Sequence, residues 1–513
     1  MGTTDESALS EDQRRRAIAV RPSDRQLAWH RTEFNAFVHY GPNAFTDRAW
    51  GTGREDPDVF DPEQLDADQW VAAAAEAGME IVTMTAKHHD GFCLWPSRYT
   101  DHSVAHSRWR DGDGDVIAEV AAACRRHDRK LGIYLSPADV HEAVVDGGRY
   151  GNGSEPRDRT IPLPADRPFA DDRTFSYELD DYNAYFLSQL FEVLTEYGPI
   201  HQVWFDGAHP EETQGDHQSY QTDAWYDLVR ELAPEAVISI NGPDVRWCGN
   251  EAGRTREAEW SVVPVPPEAD SVLDADYELT DPDFPDEELL ARAEDFAWYP
   301  AETDTTIRPD WFYHSEKEPQ FKAEELIDLW YRTVGGNSVL LLNLSPTPEG
   351  IVPEEDVELL AAVGEHVRAA FDEDLAADGA VSTAHASAAS PPSAVLDADP
   401  DTHWQPIEEE STVTVSVELP ERRAINRVLV REAIGNTGQR IESIAVDGRT
   451  EAAWERLGET ATVGYGWIAR TEEVDIDAVR VSVADARGRP GIQRIGLFNA
   501  PSIESNRPGK LQL

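Results

Sequence analysis

The chain has 513 residues, 40% hydrophobic and 9% aromatic with 15 tryptophans, which is enough apolar matter for two packed domains. Its formal net charge of −53, from 98 acidic against 45 basic residues, makes a field that repels nucleic acid and anionic membranes, so neither is expected as a partner. No apolar run approaches the ~18 residues that span a bilayer, and the three cysteines, Cys93, Cys124 and Cys248, are scattered without metal-finger spacing. Lysine occurs only at Lys87, Lys130, Lys317, Lys322 and Lys510, the other basic residues being arginine. With acidic residues spread along its length, the composition resembles that of proteins from organisms with molar cytosolic salt, where the Debye length shrinks to ~3 Å.

The opening, Met1 to Arg16, is polar, and Ala17-Ile18-Ala19-Val20 is too short for a signal-peptide core. A cytoplasmic protein with residues 1–28 as an N-terminal extension is expected. From Trp29 to about Val367 short apolar runs alternate with amphipathic ones. Strands are expected at Phe34–His39, Glu80–Thr85, Leu131–Leu135, Gln202–Phe205, Val237–Ile240, Ala258–Val262, Phe296–Tyr299 and Ser338–Leu342. Helices are expected from Asp61-Pro62 to Gly78 and over Val116–His127, Asp181–Tyr197, Ala224–Leu232 and Ala323–Val334. This alternation predicts an α/β fold, a (β/α)8 barrel over residues 29–375, with long Pro- and Asp-rich loops from Val263 to Asp286. Ala376–Pro392 reads as a linker or first strand. The runs Thr412–Val417, Arg427–Val430, Ile441–Val446, Ala478–Val483 and Gln493–Phe498 then predict a β-sandwich over residues 376–513.

Candidate chemistry follows the strand ends. The clusters are His39-Tyr40-Gly41, Lys87-His88-His89-Asp90-Gly91, Tyr134-Leu135-Ser136, Trp204-Phe205-Asp206-Gly207 and, later, Gly249-Asn250-Glu251. Asp206 has two readings: a turn-capping aspartate before glycine, or a carboxylate at the carboxyl mouth of a barrel strand, where barrel enzymes keep their chemistry. A metal is not expected, because adjacent strand residues point to opposite faces and would separate His88 from His89. Sugar chemistry fits better. Retaining glycoside cleavage needs a carboxylate nucleophile and a carboxylic acid ~5–5.5 Å apart, with hydrogen-bonding groups for hydroxyls and apolar platforms for the ring. Asp206 and Glu251, taken to come from neighbouring strands, could supply the pair. Glu251 would be the protonated partner if it occupies the drier setting.

Together, Lys87-His88-His89-Asp90-Gly91-Phe92-Cys93-Leu94-Trp95-Pro96-Ser97, Trp50-Gly51-Thr52-Gly53, Gly242-Pro243-Asp244-Val245-Arg246-Trp247, Trp311-Phe312-Tyr313-His314 and Leu342-Asn343-Leu344-Ser345-Pro346 resemble glycoside hydrolase family 29. These are retaining exo-α-L-fucosidases, and the likeness is greatest to the subfamily acting on branched α-1,3/1,4-linked fucose. The resemblance implies Asp206 as nucleophile and Glu251 as acid/base, with Glu259 as the rival. It implies His39, Trp50, His88, His89, Tyr134, Trp204 and Trp311 as substrate-binding residues. No metal and no cofactor are implied, and the partner is a fucosylated oligosaccharide or glycoconjugate. Ala49 stands where close relatives carry Glu before the tryptophan. Val395-Leu396-Asp397-Ala398-Asp399-Pro400 to Trp404 resembles the opening of a galactose-binding-like sandwich, read as a support for the barrel before a glycan-binding module. Two alternatives stand beside hydrolysis of fucosides: a silent glycan-binding barrel, and the same mechanism on a fucose-like sugar such as an α-L-galactoside.

Overall fold

The computed structural model describes residues 9–144, 154–209, 218–267, 271–273, 287–386, 390–408 and 410–502. Eight segments form one parallel sheet: β1 (Phe34–Val38), β2 (Ile81–Lys87), β3 (Lys130–Leu135), β4 (Ile200–Phe205), β5 (Val237–Ile240), β6 (Arg246–Trp247), β7 (Ala301–Thr306) and β8 (Val339–Leu344). Their order is β5-β4-β3-β2-β1-β8-β7-β6, with every pair parallel. The two outermost strands meet through one parallel bridge, Ser239 to Val245, so the barrel is nearly closed. Parallel strands are covered on both faces, which is why β1, β2 and β8 are buried throughout. The outer layer includes α1 (Ala67–Ala77), α2 (Val116–Arg126), α3 (Asp181–Glu196), α4 (Thr222–Leu232), α5 (Ala323–Thr333) and α6 (Glu354–Phe371).

The expected sixth and seventh strands are corrected. Val262–Val265 and Asp295–Trp298 pair antiparallel with each other as a separate ribbon outside the barrel. Their places are taken by β6, reached from β5 by a short turn without a helix, and by β7. The sequence of β7, Ala301-Glu302-Thr303-Asp304-Thr305-Thr306, is polar yet wholly buried. Hydrophobic patterning misses it because its inward carboxyls are satisfied by donors from other strands rather than by water. The first long helix also starts later than expected, at Ala67, where the Asp66 carboxylate accepts the Gln69 N–H at 3.0 Å. Most of the loop expected from Val263 to Asp286 lies outside the described residues.

Beyond α6 the chain forms an antiparallel sheet of β9 (Ala380–Ser382), β10 (Val413–Glu432), β11 (Ile441–Arg449), β12 (Trp454–Thr460), β13 (Trp467–Ala486) and β14 (Ile492–Phe498). The order is β9-β10-β13-β11-β12, with β14 added to β10. Two expected runs, Thr412–Val417 and Arg427–Val430, belong to the single strand β10, whose pairing with β13 shifts between Glu418 and Arg423. Val413, Val415, Val417, Val481 and Trp404 make a core of their own. This sheet docks where the barrel strands begin. Gln439 accepts the Ser261 N–H at 2.6 Å and donates to the Glu259 carbonyl, Asn337 accepts the Tyr465 N–H at 2.7 Å, and Arg431 pairs with Glu33. None of these contacts involves the carboxyl ends of the strands.

Candidate active site

Side chains alternate along a strand, so the interior of the barrel fills in layers. At the amino end Trp29, Ile81, Val237, Val245 and Val339 form an apolar plug. Above it Gln202 accepts from the Thr83 hydroxyl and donates to Ser239 Oγ at 2.8 Å and to Glu302 Oε2 at 2.7 Å. Next come Phe37, Tyr134, Trp204 and Leu341, with Ile240 and Trp311 packed against them half-buried. Gln202 and Trp204 face inward from β4, and two residues further the same phase brings Asp206 to the carboxyl mouth.

There Asp206 keeps 27% of its side chain exposed and accepts the Tyr134 hydroxyl at 2.9 Å and the Ala208 N–H at 3.0 Å. Burial and the adjacent Asp206 charge push the Tyr134 phenol well above its ordinary range, so it remains a donor. His89 Nε2 stands 3.7 Å from Asp206 Oδ2. The only hydroxyl proton of Ser136 goes to the Ala138 carbonyl, at 2.8 Å, so Ser136 Oγ accepts from His89 Nδ1 at 2.7 Å. That assigns the tautomer and leaves His89 Nε2 with a bare lone pair. Asn343 donates to the Trp311 carbonyl at 2.8 Å, which fixes its amide, and its oxygen accepts from His39 Nδ1 at 2.7 Å. His39 Nε2 is therefore an acceptor too. Burial pushes His39 down to about 3 despite the Asn343 bond, and pushes His88 well below the imidazole range, with His89 and His39 adding to the effect. Burial likewise lowers His89, against the pull of Asp206. Three neutral imidazoles beside one carboxylate form a surface for hydroxyl groups, not for a second anion.

His88 and His89 do not diverge. The pairing of β2 with β3 is irregular between Thr85 and Lys87, the strand ends at Lys87, and the two rings stand 4.1 Å apart between centroids. His88 lies 5.7 Å from Tyr134 at an interplanar angle of 16°. Trp50 covers His89 at 4.0 Å, Trp311 lies 4.9 Å from His39, and Trp204 stacks on Tyr134 at 5.3 Å. Trp204 turns its indole N–H away to Glu302 Oε1, at 2.9 Å, and so presents ring faces rather than a donor. Ala49 is exposed beside Trp50. Among the described residues no group of three or more His, Cys, Asp or Glu could hold a metal ion.

The two acidic candidates fare differently from expectation. Glu251 follows β6, so β5 lies between its strand and that of Asp206, and the two are not neighbours. Its loop is held by Asn250, which donates to the Arg254 carbonyl and accepts from Ala252 and Arg254, and Glu251 itself is exposed. The dry carboxyls lie beneath it on β7. Burial raises Glu302 to about 7 and raises Asp304 well above its usual range, with Glu251 and Glu302 adding to the latter. Asp304 accepts the Trp247 indole N–H at 2.7 Å. Sequence reasoning passed over Asp304 and Glu302, whose signal was a run of acidic and hydroxyl residues before the Trp311 motif, and it quoted Asn343 only within the Leu342–Pro346 motif without giving it a role. Glu259 lies at the other end of the barrel, fully buried between Arg246, at 2.6 Å, and Arg256, at 3.1 Å. Burial opposes its charge, but the two guanidiniums win and hold its carboxyl below the ordinary range.

An α-L-fucosidase family model matches residues 19–370. Alpha-L-fucosidase 1 of Arabidopsis thaliana is 37% identical over 488 residues, covering 93% of this chain and 87% of the plant protein. A putative α-L-fucosidase from Bacteroides ovatus, solved by crystallography, superposes with a TM-score of 0.79 at 35% identity, covering 96% of this chain and 76% of that one. A Ruminococcus gnavus GH29 fucosidase in complex with fucose gives a TM-score of 0.78 at 26% identity, covering 94% of this chain and 95% of that one.

Proposed function

The chain belongs to the α-L-fucosidase family of glycoside hydrolases, and from that premise we propose that it removes terminal α-1,3/1,4-linked L-fucose from branched glycans, as an exo-enzyme, with retention. The observation that carries this reading is the Asp206 carboxylate, half-exposed at the mouth of β4 and held by the Tyr134 hydroxyl among three neutral histidines. Asp206 attacks the anomeric carbon while the leaving oxygen takes a proton. Water, activated by the group that gave that proton, then releases fucose with its original anomeric configuration. His39 and His89, each with a free Nε2 lone pair, accept hydrogen bonds from the sugar hydroxyls.

Glu251 is proposed as the acid/base. Its exposed loop leaves it accessible to the leaving group, and a bound glycan would exclude the water around it. Glu259 is unsuited to the task, being ion-paired twice at the amino end of the barrel. Glu251→Gln is expected to cut turnover of a fucosylated trisaccharide by ~100-fold or more while sparing substrates with good leaving groups. Proton NMR of the first-formed fucose, run on a panel of α-1,2-, α-1,3- and α-1,4-linked substrates, tests outcome and linkage together. An initial β-anomer would overturn retention.

A halophilic origin is proposed from the net charge of −53. Mutual repulsion of so many carboxylates is screened only at molar salt. The melting temperature should therefore rise steeply from dilute buffer to concentrated potassium chloride, and equal values in the two would end that reading. The antiparallel sheet following α6 is proposed as a brace, because its buried hydrogen bonds engage the base of the barrel.

A further inference from the structure

Ile240 ends β5 with a φ of 71°, a left-handed backbone that a β-branched residue adopts only at a cost. Along this strand Val237 faces the apolar plug, Ile238 faces the helical layer, and Ser239 faces inward to Gln202. Regular alternation would send Ile240 outward. The left-handed turn swings it inward instead, where it packs half-buried against the layer of Phe37, Tyr134, Trp204 and Leu341. Two backbone bonds fix the turn, Ile240 N–H to the Val245 carbonyl at 2.9 Å and Asn241 N–H to the Phe205 carbonyl at 3.1 Å. The second ties it to the residue before Asp206. A glycine would take this conformation without strain, so a branched apolar side chain kept here points to contact with a ligand.

We infer that Ile240 is a specificity-determining residue that receives the C6 methyl group of the bound sugar. The inference rests on the reading of Asp206 given above. In a pyranose, carbons 2 to 4 run along one side of the anomeric carbon, while the ring oxygen and carbon 5 run along the other. His39, His88 and His89, just past the ends of β1 and β2, take the hydroxyl side. The edge bearing carbon 6 then faces the opposite wall, close to the nucleophile because one oxygen alone separates carbon 5 from the anomeric centre. Trp311 lies against His39 and belongs to the hydroxyl side. Trp247 stands on β6, one strand further from Asp206. Ile240 ends the strand adjacent to β4 and offers a half-buried apolar surface. A hydroxymethyl group pressed against it would lose a hydrogen bond to water and gain none.

The test compares kcat/KM for an aryl α-L-fucoside with that for the aryl α-L-galactoside, which differs by one hydroxyl on carbon 6. In Ile240→Gly and Ile240→Asn, both compatible with the left-handed backbone, the fucoside should lose roughly 10-fold while the galactoside holds or gains. The ratio thus drops about 10-fold with the melting temperature unchanged or higher. An unshifted ratio in both variants, at any melting temperature, overturns the assignment. A parent chain that fails on the fucoside would strike the Asp206 reading as well, so the two failures are told apart by the parent alone.

Discussion

Asp206→Gly should lose at least about 1,000-fold in kcat/KM on an aryl α-L-fucoside, and sodium azide should restore turnover by making a fucosyl azide. Among the described residues in contact with it, the carboxylate has no substitute. His89 Nε2 beside it is neutral, and the Tyr134 hydroxyl is a donor pushed far from ionisation. Glycine opens a space the size of the lost carboxylate on the same face of the sugar, so azide enters along the path the nucleophile used. The adduct should then carry the anomeric configuration opposite to the substrate. Folding should suffer little, because the partly exposed Asp206 side chain is not a member of the aromatic layer beneath it, whose packing is left in place. Undiminished hydrolysis, or rescue with no azide adduct, would remove Asp206 from the nucleophile role. Asp206→Asn, nearly the same shape, should be inactive and refractory to azide.

Lys87→Met should be strongly destabilising, although it lies outside the apolar core. Lys87 Nζ is fully buried, 3.0 Å from Asp139 Oδ2 and 2.9 Å from Gln189 Oε1. Asp139 also accepts the Tyr185 hydroxyl at 3.1 Å and the Glu142 N–H at 3.0 Å. Burial pushes the Asp139 carboxyl up, but Lys87, the Glu142 N–H and His141 together hold it below its ordinary range. Gly91 lies so near that a Cβ there would come within 2.3 Å of Asp139, which is why the segment after His89 needs glycine. Methionine fills the space of the lysine stem and leaves the carboxylate unpaired, a loss of ~3–5 kcal/mol.

The pH dependence has a definite sign. In the parent the lowered Asp139 contributes stability at neutral pH that is lost as pH falls. In the variant its carboxyl is raised, so it folds best when neutral and loses stability as pH rises. The gap between the two, from denaturant melts, should be widest near pH 7 and narrow toward pH 4. A constant gap would mean that the lost charge is not the cause. Activity should fall as well, because the Ser136 N–H bonds the Lys87 carbonyl at 2.9 Å and the Val140 N–H bonds the His89 carbonyl at 2.8 Å. The pair thus anchors the backbone that carries His88 and His89.

Much of the barrel was readable because parallel strands buried on both faces appear as unbroken apolar runs. Phe34–Val38, Leu131–Leu135 and Gln202–Phe205 stand within a residue or two of where hydrophobicity puts them. The rule failed at β7, where Glu302 and Asp304 are buried and satisfied by Gln202 and Trp204 from β4, across the barrel, and by Trp247 from the adjacent β6. Ala258–Val262 and Phe296–Tyr299 read as barrel strands for the converse reason: they overlap an apolar ribbon, Val262–Val265 with Asp295–Trp298, whose strands pair with each other and pack on Leu9 and Ala17. Local pattern reports whether a segment is buried, not against what.

The sequence by itself determined the family, the apolar strand register that turns Trp204 and Asp206 to one face, and the motif that supplies His88 and His89. These follow from side-chain period and from residue identity, which are local. Tertiary structure alone decided that the two histidines converge past the end of β2, and that Glu259 is pinned between Arg246 and Arg256 far from the mouth. It also decided that β5 separates the strands of Asp206 and Glu251, and that Ile240 turns inward. Each of these depends on which strands become neighbours across the barrel, and on backbone breaks of one or two residues. Neither leaves a periodic trace in the chain.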